Sequence, residues 1–152
     1  MFSFVPIPSA MKEYHTKIRI NRSVDQVWQF ITDFDQYPNW NPLVGKLEGD
    51  IREGGKIATT IVPLGKTYYP KVLSYKENEE LVWQGVQGAK FLIAGKHYYR
   101  LEKIDEGVTE LQHGEYFTGI LSNFISRSLL QKMEDTFVLH NEELKKQLEN
   151  EG

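Results

Sequence analysis

Apolar and polar residues alternate from residue 13 to residue 21 (EYHTKIRIN), with Tyr14, Thr16, Ile18 and Ile20 on one side and His15, Lys17 and Arg19 on the other. A period of two belongs to a half-buried strand. The period then lengthens. Ser23 opens an S-x-x-Q box with Gln26, a device that satisfies orphan amides at a helix start. Val24, Val27, Trp28 and Ile31 follow at helical spacing, which predicts a helix over 24–32 with Trp28 in its core-facing stripe. The next segment, Asp33–Pro42 (DFDQYPNWNP), is aromatic and interrupted by Pro38 and Pro42. A second brief helix ending before Pro38 is expected, because the residue preceding a proline avoids helical angles.

Strand character recurs at 43–49, 55–62, 67–76, 81–87, 91–104 and 108–118, with turn signals such as Gly54-Gly55, Leu64-Gly65 and Asp105–Gly107 between most of these stretches. Closely spaced strands joined by short turns are antiparallel neighbours. Beyond them the period changes for good. Leu121, Ile125, Leu129, Met133, Phe137, Leu144 and Leu148 follow helical spacing, Asn141 interrupts the row, and no Pro or Gly lies between Ile120 and Glu151. One amphipathic helix of roughly 28 residues, about 42 Å long, is expected. Its apolar residues, Phe124 among them, need a broad partner, and the concave side of a twisted sheet is the one available. The prediction is therefore an α+β chain: a curved antiparallel sheet of about seven strands around a long C-terminal helix, with two short helices after the first strand. It forms a single domain over 11–152, preceded by a loose extension over 1–10.

Three pieces of sequence carry a resemblance: S-V-D-Q-V-W-Q-F-I-T-D-F-D-Q-Y-P-N-W-N-P at 23–42, E-L-V-W-Q-G at 80–85, and H-Y-Y-R-L…G-V-T-E-L-Q-H-G-E-Y-F-T-G at 97–119. In that order they resemble the START-like, or SRPBCC, superfamily of birch-pollen-allergen-like helix-grip proteins, in its bacterial polyketide cyclase/dehydrase-like branch. The likeness spans residues 12–148. It implies a deep cavity between sheet and long helix that holds an apolar small molecule. It does not imply one reaction, because such folds host carriers, receptors and enzymes alike.

The last two strands can be set in register. A three-residue loop, Asp105-Glu106-Gly107 with Gly107 left-handed, places Leu101 opposite Leu111, Tyr99 opposite His113 and His97 opposite Glu115. A two-residue loop would set that row against Glu110, Gln112 and Gly114, so pattern favours three. The face so defined also carries Phe91, Ile93 and Phe117, and is expected to point into the cavity. Its polar groups admit three readings: an internal network that fixes the sheet, polar orientation of a bound ligand, or general acid–base catalysis with Glu115 orienting or charging a histidine. His97 and His113 lack a third strong ligand beside them, so neither a metal nor another cofactor is expected. Trp40, between two prolines, is a core plug or a lid at one end of the groove, while Trp83 belongs to core or pocket wall. From the long helix, Phe124, Leu129 and Met133 complete the expected wall, Met133 with an adaptable side chain.

Composition narrows the function. The 152 residues are 40% hydrophobic and sized for one substantial core. The net charge is −3 and basic runs stop at two residues, which disfavours nucleic acid as a partner. No apolar stretch approaches the roughly 20 residues of a membrane span, so stable membrane insertion is not expected. With no cysteine, disulfides and thiolate chemistry are excluded, and a reducing cytoplasm is the expected location. Met1–Ala10 (MFSFVPIPSA) has no basic start and two prolines, and reads poorly as a signal peptide. Neither G-x-x-x-x-G-K-[ST] nor G-x-S-x-G occurs. The reading that follows is a binding protein, more than an enzyme, for a small hydrophobic or aromatic molecule, as a monomer or homodimer. Its first alternative is a cyclase, dehydratase or hydrolase that moves protons with His97, His113 or Glu115. The other is a lipid- or quinone-delivery or partner-regulating module that uses MFSFVPIP as its contact.

Overall fold

In the computed structural model, which describes residues 12–87, 93–119, 122 and 124–150, the first alternation becomes β1 (Lys12–Ile20). Tyr14, Thr16 and Ile20 are buried, while His15, Lys17 and Arg19 face solvent. The capping box forms at α1 (Val24–Ile31): Ser23 Oγ accepts from the Gln26 amide and the Gln26 side chain accepts from the Ser23 amide. Val27, Trp28 and Ile31 are buried, as their spacing requires. The expectation at Pro38 needs correction. A 3-10 turn at Phe34–Gln36 leads into α2 (Tyr37–Trp40), and Pro38 lies in its first turn. There the missing N–H has no intrahelical acceptor to lose, so proline starts this helix rather than stopping one.

Seven further strands follow: β2 (Val44–Gly49), β3 (Ile57–Ile61), β4 (Lys66–Tyr68), β5 (Lys71–Lys76), β6 (Glu80–Gln87), β7 (Ile93–Asp105) and β8 (Val108–Thr118). The stretch 67–76, expected as one strand, is two. Tyr69-Pro70 separates them, and a proline cannot donate to a ladder. The break moves the chain from a three-stranded sheet (β2-β3-β4) into a five-stranded one (β1-β8-β7-β6-β5), both antiparallel. A seam joins them, with Ile57 N donating to Pro70 O (3.0 Å) and Val72 N to Gly55 O (2.8 Å). This seam curves the whole surface around the helix.

That helix, α3 (Arg127–Glu149), has 23 residues, about 35 Å, instead of roughly 28. Ser126 caps it by accepting from Leu129 N (3.0 Å), and a tight turn through Ser122 and Ile125 precedes the cap. α3 packs mainly along β1, and its Met133, Phe137, Leu144 and Leu148 enter the same core as Tyr14, Trp83, Tyr99 and Leu111. Among the described residues, no helix is long and apolar enough to cross a membrane. The expected extension over 1–10, and the placements of Phe91 and Leu121, lie outside the described residues.

The β7–β8 register is as expected: Leu101 faces Leu111, Tyr99 faces His113 and His97 faces Glu115. Its closure is different. Asp105 pairs with Val108 across a two-residue turn, Glu106-Gly107, and a bulge at Ile104 restores the register by Lys103 and Thr109. Gly107 does not adopt a left-handed backbone. The bulge supplies the extra residue that a longer loop was expected to supply.

Candidate functional site

A cavity of about 460 Å³ opens between the two sheets and the N-terminal half of α3. β3 and β4 contribute Thr59, Ile61, Thr67 and Tyr68, and the helix and the turn before it contribute Ile125, Leu129, Met133 and Phe137. The five-stranded sheet contributes Tyr14, Trp83, His97, Glu115 and Phe117, together with Gly85 and Gly95. The two glycines pair across β6 and β7, and Gly95 also pairs with Phe117. A Cβ on Gly95 would stand 2.8 Å from Glu115 Oε2 and 3.0 Å from the Phe117 ring. Absence of a side chain there is what gives the carboxyl group its place on the wall.

Glu115 is tied to Tyr14, its partner across β1 and β8, whose hydroxyl donates to Oε1 at 3.2 Å. Burial pushes the Glu115 pKa up to about 7, opposed by the Tyr14 bond. The Tyr14 hydroxyl is held well above its ordinary range by burial, then by the Glu115 charge, so it remains a donor. Tyr68 is raised as well, first by burial and then by Glu115. The carboxyl therefore stands among phenol rings. It bonds to neither His97 nor His113, so the expectation that Glu115 orients or charges a histidine is corrected: its register partner is His97, but its hydrogen-bond donor comes from the next strand.

The histidines belong to a second cluster, with His97 on the wall and His113 and His140 behind it. Thr16 Oγ1 donates to His113 O (2.6 Å), so it can only accept from Asn141 Nδ2 (2.8 Å). That fixes the amide. Asn141 Oδ1 then accepts from Nδ1–H of both His113 (2.9 Å) and His140 (3.0 Å). Burial holds both rings well below the ordinary imidazole range, His140 at about 4, so each is neutral and carries its lone pair on Nε2. His140 Nε2 accepts from Tyr99 OH, and His113 Nε2 from His97 Nε2–H, both at 2.8 Å. His97 Nδ1 is left a bare acceptor with no partner among the described residues, its ring stacked on Trp83 at 3.9 Å.

The expected site residues thus divide. Trp83, His97, Glu115, Phe117, Leu129 and Met133 lie on the cavity wall. Tyr99 and His113 are fully buried in the network behind it. Trp40 packs on Phe30, Tyr37 and His140, away from the wall. Phe124, expected to cover the sheet, is 80% exposed, because it precedes the Ser126 cap and the helical phase does not extend to it. Sequence reasoning missed Tyr14 and Tyr68 on the wall, and His140 and Asn141 in the network. Asn141 had a signal: a polar pair breaking an apolar helical row. Tyr14 shares the inward face of β1 with Thr16, and running the register across a third strand would have placed it on Glu115. Among the described residues, no three His, Asp or Glu side chains converge as a metal would require.

Residues 11–149 match the family described as polyketide cyclase/dehydrase and lipid transport. No curated protein matches the sequence. Solved structures similar to this chain include a START superfamily protein from Mycobacterium smegmatis, with 15% identity and a TM-score of 0.70 over 90% of this chain and 97% of that one. The Zhui aromatase/cyclase from Streptomyces sp. R1128 is similar at 15% identity and a TM-score of 0.69, over 91% and 94%. Norcoclaurine synthase from Thalictrum flavum follows at 16% identity and 0.60, over 93% and 96%. At such identities the likeness is one of fold.

Proposed function

We propose that this chain, which belongs to the polyketide cyclase/dehydrase and lipid transport family, binds one small, largely apolar or aromatic molecule in the cavity between its sheets and α3. The carrying observation is the cavity itself: about 460 Å³, walled by aromatic and aliphatic side chains with few polar groups among them. Those proportions are usual for a pocket that takes its affinity from apolar contact and its orientation from a few polar atoms. Glu115 and Tyr14 supply the orientation. The histidine network serves the site indirectly, since its hydrogen bonds close on one another and hold His97 and Trp83 in place. The family's description, polyketide cyclase/dehydrase and lipid transport, supports a ligand of this class.

One observation favours a second reading, proton transfer to or from the bound molecule. A carboxyl group with a pKa of about 7 can both accept and release a proton at neutral pH. On that reading Glu115 is the carrier and Tyr14 its hydrogen-bonding partner.

The cavity can be filled from Gly85, which lines it and where an added Cβ would meet nothing nearer than Pro70 Cβ at 4.0 Å. The neutral fluorophore N-phenyl-1-naphthylamine is expected to bind the parent chain saturably at one site. Gly85→Phe is expected to weaken that binding by roughly tenfold or more, about 1.4 kcal/mol, with the far-UV circular dichroism and melting temperature little changed. Equal binding by a folded Gly85→Phe variant would place the site elsewhere.

A further inference from the structure

The cavity wall is one-sided in charge. Among its described lining residues there is neither Lys nor Arg; the ionisable groups are Glu115, His97 and the hydroxyls of Tyr14, Tyr68 and Tyr69. His97 is kept neutral by burial and by neighbouring His140, and burial holds Tyr14 and Tyr68 protonated. The described lining residues therefore carry together a charge of zero or minus one, never plus one. Glu115 uses Oε1 on Tyr14, while Oε2 lies over Gly95 with no hydrogen-bond partner among the described residues.

Around that oxygen the wall is aromatic. Tyr14 meets Phe117 edge-on at 5.8 Å and Phe137 at 4.8 Å, and Tyr68 and Trp83 also line the space. Aromatic faces attract a cation by several tenths to about 2 kcal/mol each, and an ammonium beside a carboxylate gains more where water is scarce. A neutral donor could bond to Oε2 but would draw nothing from the ring faces. A ligand carboxylate or phosphate would meet like charge, with neither Lys nor Arg among the described wall residues to offset it.

Building on the binding reading above, we propose that the cavity selects a hydrophobic molecule carrying a protonated amine, whose ammonium pairs with Glu115 Oε2 inside the aromatic wall, and rejects the same molecule carrying a carboxylate. The glycine at 95 and the tyrosine at 14 then have one common use: the first clears the approach to Oε2, and the second holds the carboxylate in the orientation that offers it.

Three probes with one ring system test this: 2-(2-naphthyl)ethylamine, 2-(2-naphthyl)ethanol and 2-naphthylacetate. Each is titrated calorimetrically at pH 8, where Glu115 and the amine are both ionised, into the parent chain and Glu115→Gln. The amine is expected to bind the parent roughly tenfold or more tighter than the carboxylate, and tighter than the alcohol. In Glu115→Gln the amine-to-alcohol preference is expected to fall to about one. A carboxylate that binds as tightly as the amine, or an amine preference that survives in Glu115→Gln, overturns the inference and leaves the binding reading standing. So does failure of all three probes where N-phenyl-1-naphthylamine still binds. If that neutral fluorophore fails as well, the binding reading falls with it.

Discussion

Asn141→Leu is expected to destabilise the chain by about 3–5 kcal/mol, read as a lowered urea midpoint with little change in slope. Leucine is similar in size, so the loss is of hydrogen bonds rather than volume. Nδ1–H of His113 and of His140 would each lose its acceptor, and Thr16 Oγ1 its donor, all in a region closed to solvent. A buried polar group left unpaired costs roughly 1–3 kcal/mol, and rings that switch tautomer recover only part of that. Thr16→Val attacks the same unit from the other side, since the threonine hydroxyl fixes which way the amide points. The double variant is expected to lose less than the two singles together, because each removes what gives the other its value. Additive losses, or an Asn141→Leu variant within 1 kcal/mol of the parent, would show that the amide is not the hub of the cluster.

The same cluster shows where reading from sequence stops. On β7 and β8, alternation alone places His97, Tyr99, His113 and Glu115 on one face, because a one-residue slip would bury Glu110 and Gln112 against leucines. The bulge at Ile104 escapes that reasoning: a bulge and a longer loop leave the rest of the ladder identical. Pro38 and Pro70 are both visible as interruptions, but only tertiary context decides that one begins a helix and the other divides two sheets. Without the division at Pro70 there is no β2–β4 wall, so pattern alone reaches a groove between a curled sheet and the helix, and the deep cavity follows only from the family resemblance.

For the site, the polar residues were legible and their partners were not. Glu115 stands out as an acid among apolar inward positions, yet its donor Tyr14 lies about a hundred residues earlier and meets it only through β1–β8 pairing. His140 and Asn141 are adjacent on α3, where adjacent residues point about 100° apart. Both are nevertheless buried, because one faces Tyr99 and the other reaches Thr16 and His113. A helical stripe drawn one residue wide admits Asn141 as a defect and omits His140. The network is therefore a product of packing two surfaces, each of which looks ordinary by itself.

Acidification is expected to unfold the chain well above the pH at which ordinary surface carboxylates protonate. His97, His113 and His140 are neutral in the folded state, with pKa values below the usual 6.5 and His140 at about 4. Unfolding frees each ring to take a proton, so their contribution to stability is complete above pH 6.5 and is lost as the pH falls towards the folded values. Glu115 acts in the opposite sense. Its folded pKa of about 7 exceeds the ordinary 4.5, so its contribution is complete below 4.5 and is lost as the pH rises through 7. Three imidazoles against one carboxyl leave a net uptake of two protons on unfolding near pH 5. That corresponds to a slope of about 2–3 kcal/mol per pH unit at its steepest. Urea midpoints taken from pH 8 to pH 4.5 should accordingly be level or slightly rising down to pH 6.5 and then drop sharply. Glu115→Gln removes the opposing group, so it should be more stable than the parent above pH 7 and lose stability more steeply in acid. A parent profile that stays flat from pH 6.5 to pH 5 would mean that the histidines accept protons without unfolding, and that the neutral tautomers around Asn141 are not what holds α3 against β1.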